Sequence, residues 1–127
     1  MLQTVLVFLG GGIGAATRHG INLTVSRLLG TAFPWSTFII NISGSTLMGL
    51  IAGFFAFRAG AGWSQDLRLF LTTGILGGYT TFSAYSLDAA LLFESGRSFA
   101  ALAYVVLSVV LAILGLFAGL WLIRAVS

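Results

Sequence analysis

Four apolar blocks, Gln3 to Leu28, Pro34 to Phe57, Leu67 to Phe93 and Ser98 to Ile123, take up nearly the whole chain. Each is long enough to cross a bilayer hydrocarbon layer of about 30 Å, which takes roughly 20 residues of helix. Backbone facing lipid must satisfy its own hydrogen bonds, so blocks of this kind are confined to helices. The connections Gly30 to Phe33, Arg58 to Ser64 and Glu94 to Arg97 hold glycine and most of the charge, as helix boundaries do. Pro34 suits the first turn of the second helix, where its missing donor is not needed. The chain therefore reads as one domain, residues 1–127, all-α and integral to a membrane, with four transmembrane helices. A cleaved signal peptide is the rival reading of the first block. That block lacks a basic leading region and runs on through Gly10-Gly11-Gly12 to Arg18.

Composition excludes several classes. The chain is 58% hydrophobic and 7% charged, against about 25% charged in soluble domains. Cysteine is absent, which removes disulfides and thiolate metal sites. The six basic residues are all arginine and stand singly between apolar blocks, so there is no basic stripe for nucleic acid. The blocks are too long and too uniformly apolar for a helix lying on a membrane surface. With four spans, Arg58, Arg68 and Arg124 fall on one side, while Arg18, Arg27 and Arg97 fall on or near the other. The positive-inside rule returns a tie, so the chain has no strong reason to choose one orientation, and copies inserted both ways can pair. Small residues spaced for close helix packing serve either association between copies or contacts within one subunit. Asn41, Ser45, Gly49 and Gly53 recur every four residues on the second helix, as do Gly115 and Gly119 on the fourth.

The string Gly77-Gly78-Tyr79-Thr80-Thr81-Phe82-Ser83-Ala84-Tyr85 puts glycines, hydroxyls and aromatics near the middle of the third block. Backbone freed from helix at bilayer depth is tolerated only where it is packed in protein or lines a polar cavity, so a break here marks a site. The other polar groups inside the blocks are neutral donors: Asn41 and Ser43 on the second helix, Tyr104 and Ser108 on the fourth. Tyr104 and Ser108 are four apart and share a helix face. Hydroxyls and amides solvate an anion without holding it as a fixed counter-charge would. Phe82 and Tyr85, three apart, can turn positive ring edges to an anion. Asp66, Asp88 and Glu94 lie toward the ends of the third block, leaving no carboxylate at its centre for proton exchange. The single histidine, His19 beside Arg18, has no partners for a catalytic triad, and the chain is not read as an enzyme.

Three separated pieces match one pattern. Gly12-Ile13-Gly14-Ala15-Ala16-Thr17-Arg18, Pro34-Trp35-Ser36-Thr37-Phe38-Ile39-Ile40-Asn41-Ile42-Ser43-Gly44 and Thr73-Gly74-Ile75-Leu76-Gly77-Gly78-Tyr79-Thr80-Thr81-Phe82-Ser83 resemble the CrcB/Fluc fluoride channels. The resemblance implies an antiparallel, dual-topology homodimer in a prokaryotic inner membrane, with two fluoride pores built by both subunits and the third helix broken near its middle. It implies a structural sodium ion on the dimer axis, held by backbone carbonyls of Gly77 and Thr80. It also implies that Asn41, Phe82, Ser83, Tyr85, Tyr104 and Ser108 line the pore, with Arg18 near an entrance. The implied partners are fluoride, a second copy of the chain and lipid.

This sequence departs from that family at Ala84 and Tyr85, which stand where a threonine and a second phenylalanine are usual, and Ala112 lacks a hydroxyl one turn beyond Ser108. Tyr85 keeps the ring and adds a hydroxyl able to form a hydrogen bond instead. Two other readings remain. A small multidrug antiporter needs a glutamate in the first helix, which has no acidic residue. A non-conducting scaffold subunit accounts for the small-residue faces but not for donors gathered around a break.

Overall fold

The computed structural model describes residues 1–58 and 65–126. Most of the second connection, Ala59 to Ser64, lies outside the described residues. All secondary structure among those described is helical. Helix α1 is Leu2–Leu29, 28 residues, or about 42 Å at 1.5 Å per residue. It stops at Gly30, whose φ of 77° is left-handed and whose N–H bonds back to the Ser26 carbonyl. Helix α2, Trp35–Gly53, runs on into a wider π-helical turn, Phe54–Arg58. The third rod is composite, with α3 at Gln65–Leu69, a π-helical stretch at Phe70–Leu76, α4 at Gly77–Tyr79 and α5 at Phe82–Glu94. Helix α6 is Ser98–Val126. The Arg97 guanidinium donates to the Ala32 carbonyl, tying the connection before α6 to the one before α2. Both connections therefore sit at one end, and the four rods alternate in direction.

Pro34 sits one residue outside the expected helical turn. Its ψ of 63° is not helical, and it serves as the cap. Its carbonyl accepts the Phe38 N–H at 3.1 Å, the first bond of α2.

Two interfaces hold the rods together, and glycine sets both. Helix α1 packs on Phe70–Tyr79 through Gly10 and Gly14 on one side and Gly74 and Gly78 on the other. A Cβ on Gly10 would lie 2.8 Å from the Phe70 carbonyl oxygen, and one on Gly78 would lie 2.9 Å from Gly11 Cα. The backbones touch, so dispersion contacts replace any side-chain layer. Helix α2 packs on α6 in the same manner. A Cβ on Gly119 would lie 2.6 Å from the Thr46 carbonyl oxygen, and one on Gly49 would lie 3.0 Å from Leu116 Cα. Gly53 meets Ile123, and Gly115 meets Thr46. Of the two uses such spacing can have, contact within a subunit and association between copies, the structure shows the first: Gly49, Gly53, Gly115 and Gly119 are used inside the chain. Both helices offer small residues in register on apolar faces, so their backbones close on each other first.

Little is buried beyond these seams. One cluster joins Ile40, Leu76 and Tyr79, and another joins Tyr85, Leu92, Ala101 and Tyr104. Large apolar side chains point outward instead, with Phe8 78% and Phe99 84% exposed. Trp35–Ala56 and Ser98–Val126 are long and apolar enough to cross a membrane, and only 11% of an 18-residue apolar stretch of the second is buried. A soluble protein hides such a helix, whereas this one turns it outward, as a membrane protein does.

Candidate functional site

Regular helix stops after Tyr79 and resumes at Phe82, because Thr80 (ψ 160°) and Thr81 (φ −153°, ψ 122°) are extended. One side chain accounts for where Thr81's backbone bonds go. The Asn41 amide accepts the Thr81 N–H at 2.9 Å and donates to the Thr81 carbonyl at 3.0 Å, matching both backbone groups as a neighbouring strand would. Thr81 then caps α5, its Oγ1 accepting the Ala84 N–H at 3.1 Å. Upstream, the Thr80 N–H and hydroxyl both reach the Leu76 carbonyl at 3.0 Å. Helix α2 comes close at this level because Gly44 has no side chain; a Cβ there would lie 3.2 Å from the Tyr79 ring. The Tyr79 and Ser43 hydroxyls pair at 2.9 Å on the same side.

Beside the break lies a groove of about 280 Å³ between α2, α5 and α6. Asn41, Thr80, Thr81, Phe82, Tyr85 and Ser108 line it, with Met48, Ala112 and Leu116 among its apolar wall. Ser108 is 4% exposed, and its hydroxyl has no hydrogen-bond partner among the described residues. Such a group costs stability unless something polar reaches it. The Asn41 amide carries two N–H bonds, and only one is directed at Thr81. Phe82 is 77% exposed, its ring centroid 5.4 Å from that of Tyr85.

The expected site residues divide into those gathered here and those elsewhere. Asn41, Phe82, Tyr85 and Ser108 meet at the groove, together with Thr80. Tyr85 offers it a ring rather than a donor, since its hydroxyl is turned away to the Val105 carbonyl at 2.8 Å. Tyr104 is fully buried beside Phe33, Phe38 and Tyr85, and its hydroxyl donates to Asp88 at 3.3 Å. It shares a helix face with Ser108 but does not line the groove. Ser83 is exposed and stands 3.3 Å from the Thr81 hydroxyl. Arg18 is half-buried on α1, which packs on the other half of the third rod, so the structure does not bring it to the groove. Gly77 is exposed at the start of α4, with its N–H directed to Thr72 and Gly74.

Two residues gain roles that spacing did not assign. Thr81 links Asn41 to the cap of α5, and the presence of a threonine beside the break was its only signal. Asp88 lies on α5 three residues beyond Tyr85, and the buried Tyr104 hydroxyl makes it a partner. Among the described residues, no three histidine, cysteine or acidic side chains stand together to hold a metal.

Residues 5–120 match the model of the family described as CrcB-like protein, Camphor Resistance (CrcB). The chain is similar to a protein of Rhodopseudomonas palustris (strain BisB5) named fluoride-specific ion channel FluC, at 67% identity over 97% of this chain and 98% of that one. A protein of Nitrobacter hamburgensis named fluoride-specific ion channel FluC 2 is 59% identical with the same coverage. One of Methylobacterium sp. (strain 4-46), also named fluoride-specific ion channel FluC, is 53% identical over 98% of each chain.

Proposed function

This chain belongs to the CrcB-like family, and on that premise we propose that it is a fluoride-selective channel that lets fluoride leave the cytoplasm passively. The observation that carries this reading is identity of 67% and 59%, over nearly the full length, to relatives named fluoride-specific ion channels. The chemistry of the groove agrees with it. Fluoride is small and strongly hydrated, so a path for it must replace water by close donors while holding the ion only moderately. The groove supplies the unpartnered Ser108 hydroxyl and the second N–H of Asn41, with a ring at Phe82, and contains no fixed charge. A carboxylate would repel the ion, and a lysine or arginine would trap it. Narrow spacing of these donors is the proposed basis for rejecting chloride.

The proposed assembly is an antiparallel homodimer in the inner membrane, with two pores. Three features support it: the balanced arginines, the outward apolar faces, and a groove left open on one side with Phe82 projecting from it. A second copy would close that side. A sodium ion at the dimer axis would be held by the Gly77 and Thr80 carbonyls. Bound there, it would supply a fixed positive charge that pins two breaks together. The donor set suits a hard cation, since carbonyl oxygens are its preferred ligands and no carboxylate is required. In an unbroken helix the Gly77 carbonyl accepts from the N–H of residue 81 and the Thr80 carbonyl from that of residue 84. Here those two donors go to Asn41 and to the Thr81 hydroxyl.

The test is efflux from liposomes loaded with fluoride or with chloride, followed by ion-selective electrode after an ionophore relieves the voltage. Fluoride should leave rapidly and chloride should stay. Equal loss of both, or none above protein-free liposomes, would reject the reading.

A further inference from the structure

We infer that Asn41 and Thr81 are positioning residues for the cation: by diverting two backbone donors, they keep the Gly77 and Thr80 carbonyls free to ligate. The inference rests on the sodium reading above and deepens it, because it assigns control of the cation site to side chains that line the anion groove.

The geometry gives each residue one carbonyl. The Thr81 N–H has two possible partners, the Gly77 carbonyl four residues back and the Asn41 amide oxygen, and it goes to Asn41 at 2.9 Å. The Ala84 N–H likewise has the Thr80 carbonyl or the Thr81 hydroxyl, and it goes to the hydroxyl at 3.1 Å. Thr81 is 9% exposed, so water does not readily stand in for either partner. Take away a diverting side chain and the freed N–H is satisfied by rewinding the break onto the helix carbonyl four residues back, because an unmade bond at this depth is costly. Each restored helical bond then removes a ligand. The Asn41 donation to the Thr81 carbonyl at 3.0 Å holds the same peptide from its other side and resists that rewinding. The diverting groups lie on the groove and the diverted carbonyls on the break, so one amide serves both sites. The anion path and the cation site are then coupled through the Thr81 peptide, with no side chain touching both ions.

The experiment follows thermal unfolding of purified full-length protein by tryptophan fluorescence while sodium replaces N-methylglucamine. Wild type should gain stability saturably with sodium. Asn41→Leu and Thr81→Val should raise the half-maximal sodium concentration at least tenfold, whereas Thr81→Ser, which keeps the hydroxyl, should stay within twofold of wild type. Thr81→Val leaves the Asn41 pairing in place and carries the test if Asn41→Leu does not fold. A merely structural role would lower the melting temperature equally at every sodium concentration and leave the midpoint where it was, and that result overturns the inference. A wild type indifferent to sodium overturns it as well, along with the cation site, while leaving the fluoride reading to the efflux measurement.

Discussion

The two sides of the third rod are built on opposite principles. Its first half, Phe70–Tyr79, lies against α1 with glycine on glycine, and the backbones meet with no space between them. Its second half, from Thr80 onward, faces α2 and α6 across a groove that holds an unpartnered hydroxyl and a half-used amide. Both halves are apolar helix by composition. The difference lies in what fills the gap between rods. Where glycines coincide, the helices seal. Where Gly44 admits α2 but Thr80, Phe82 and Tyr85 supply bulk on the facing rod, a groove remains, mostly apolar with a few polar groups. A chain of this size thus has a close backbone seam on one side and an open groove on the other.

The comparison breaks most severely on the sealed side. Gly78→Val puts a branched side chain into the Gly11 backbone, which cannot yield as a flexible side chain would. Loss of folded, monodisperse protein is expected, whereas Gly12→Ala, with open space around it, should purify and conduct like wild type. Similar yields of the two variants in detergent would show that α1 does not pack as described. Next comes Asn41→Asp. A carboxylate keeps the bond from the Thr81 N–H but sets an oxygen against the Thr81 carbonyl and a negative charge in the groove. Fluoride efflux should fall at least tenfold, and stability should drop by about 1–3 kcal/mol, as expected when a buried acceptor loses its donor.

Two smaller changes sharpen the contrast between conduction and stability. Ser108→Ala removes a hydroxyl with no partner in the fold, so the melting temperature should stay or rise slightly while efflux slows several-fold. If stability falls and efflux holds, Ser108 belongs to the packing and not to the path. Tyr85→Phe deletes one hydrogen bond to the Val105 carbonyl and keeps the ring. It should cost about 1 kcal/mol and leave efflux within twofold in the same liposome assay. A large loss of flux would mean that the Tyr85 hydroxyl reaches the ion.

Local pattern carried much of this into view from the sequence alone. The helices begin and end within a few residues of the glycine- and charge-rich connections, because capping chemistry is local. The importance of Asn41 was also legible, since a full amide inside an apolar block demands a partner. Its actual partner, the Thr81 backbone forty positions away, was not. Helical spacing says which residues share a face and not what that face meets. For this reason Tyr104 and Ser108, one turn apart, end in different surroundings. The small residues of α2 and α6 were ambiguous in the same way, because a glycine face suits a neighbour in the same chain as well as one in a second copy. The α1 glycines were visible as a run, but their coincidence with Gly74 and Gly78 depends on the tertiary register of two rods.

The most direct test is the reversal potential in a planar bilayer, with a fluoride gradient in one direction and a chloride gradient in the other. The account predicts current that reverses near the fluoride equilibrium potential and does not shift when a proton gradient is imposed. A reversal potential that follows chloride, or that moves with pH, would contradict a passive fluoride-selective path.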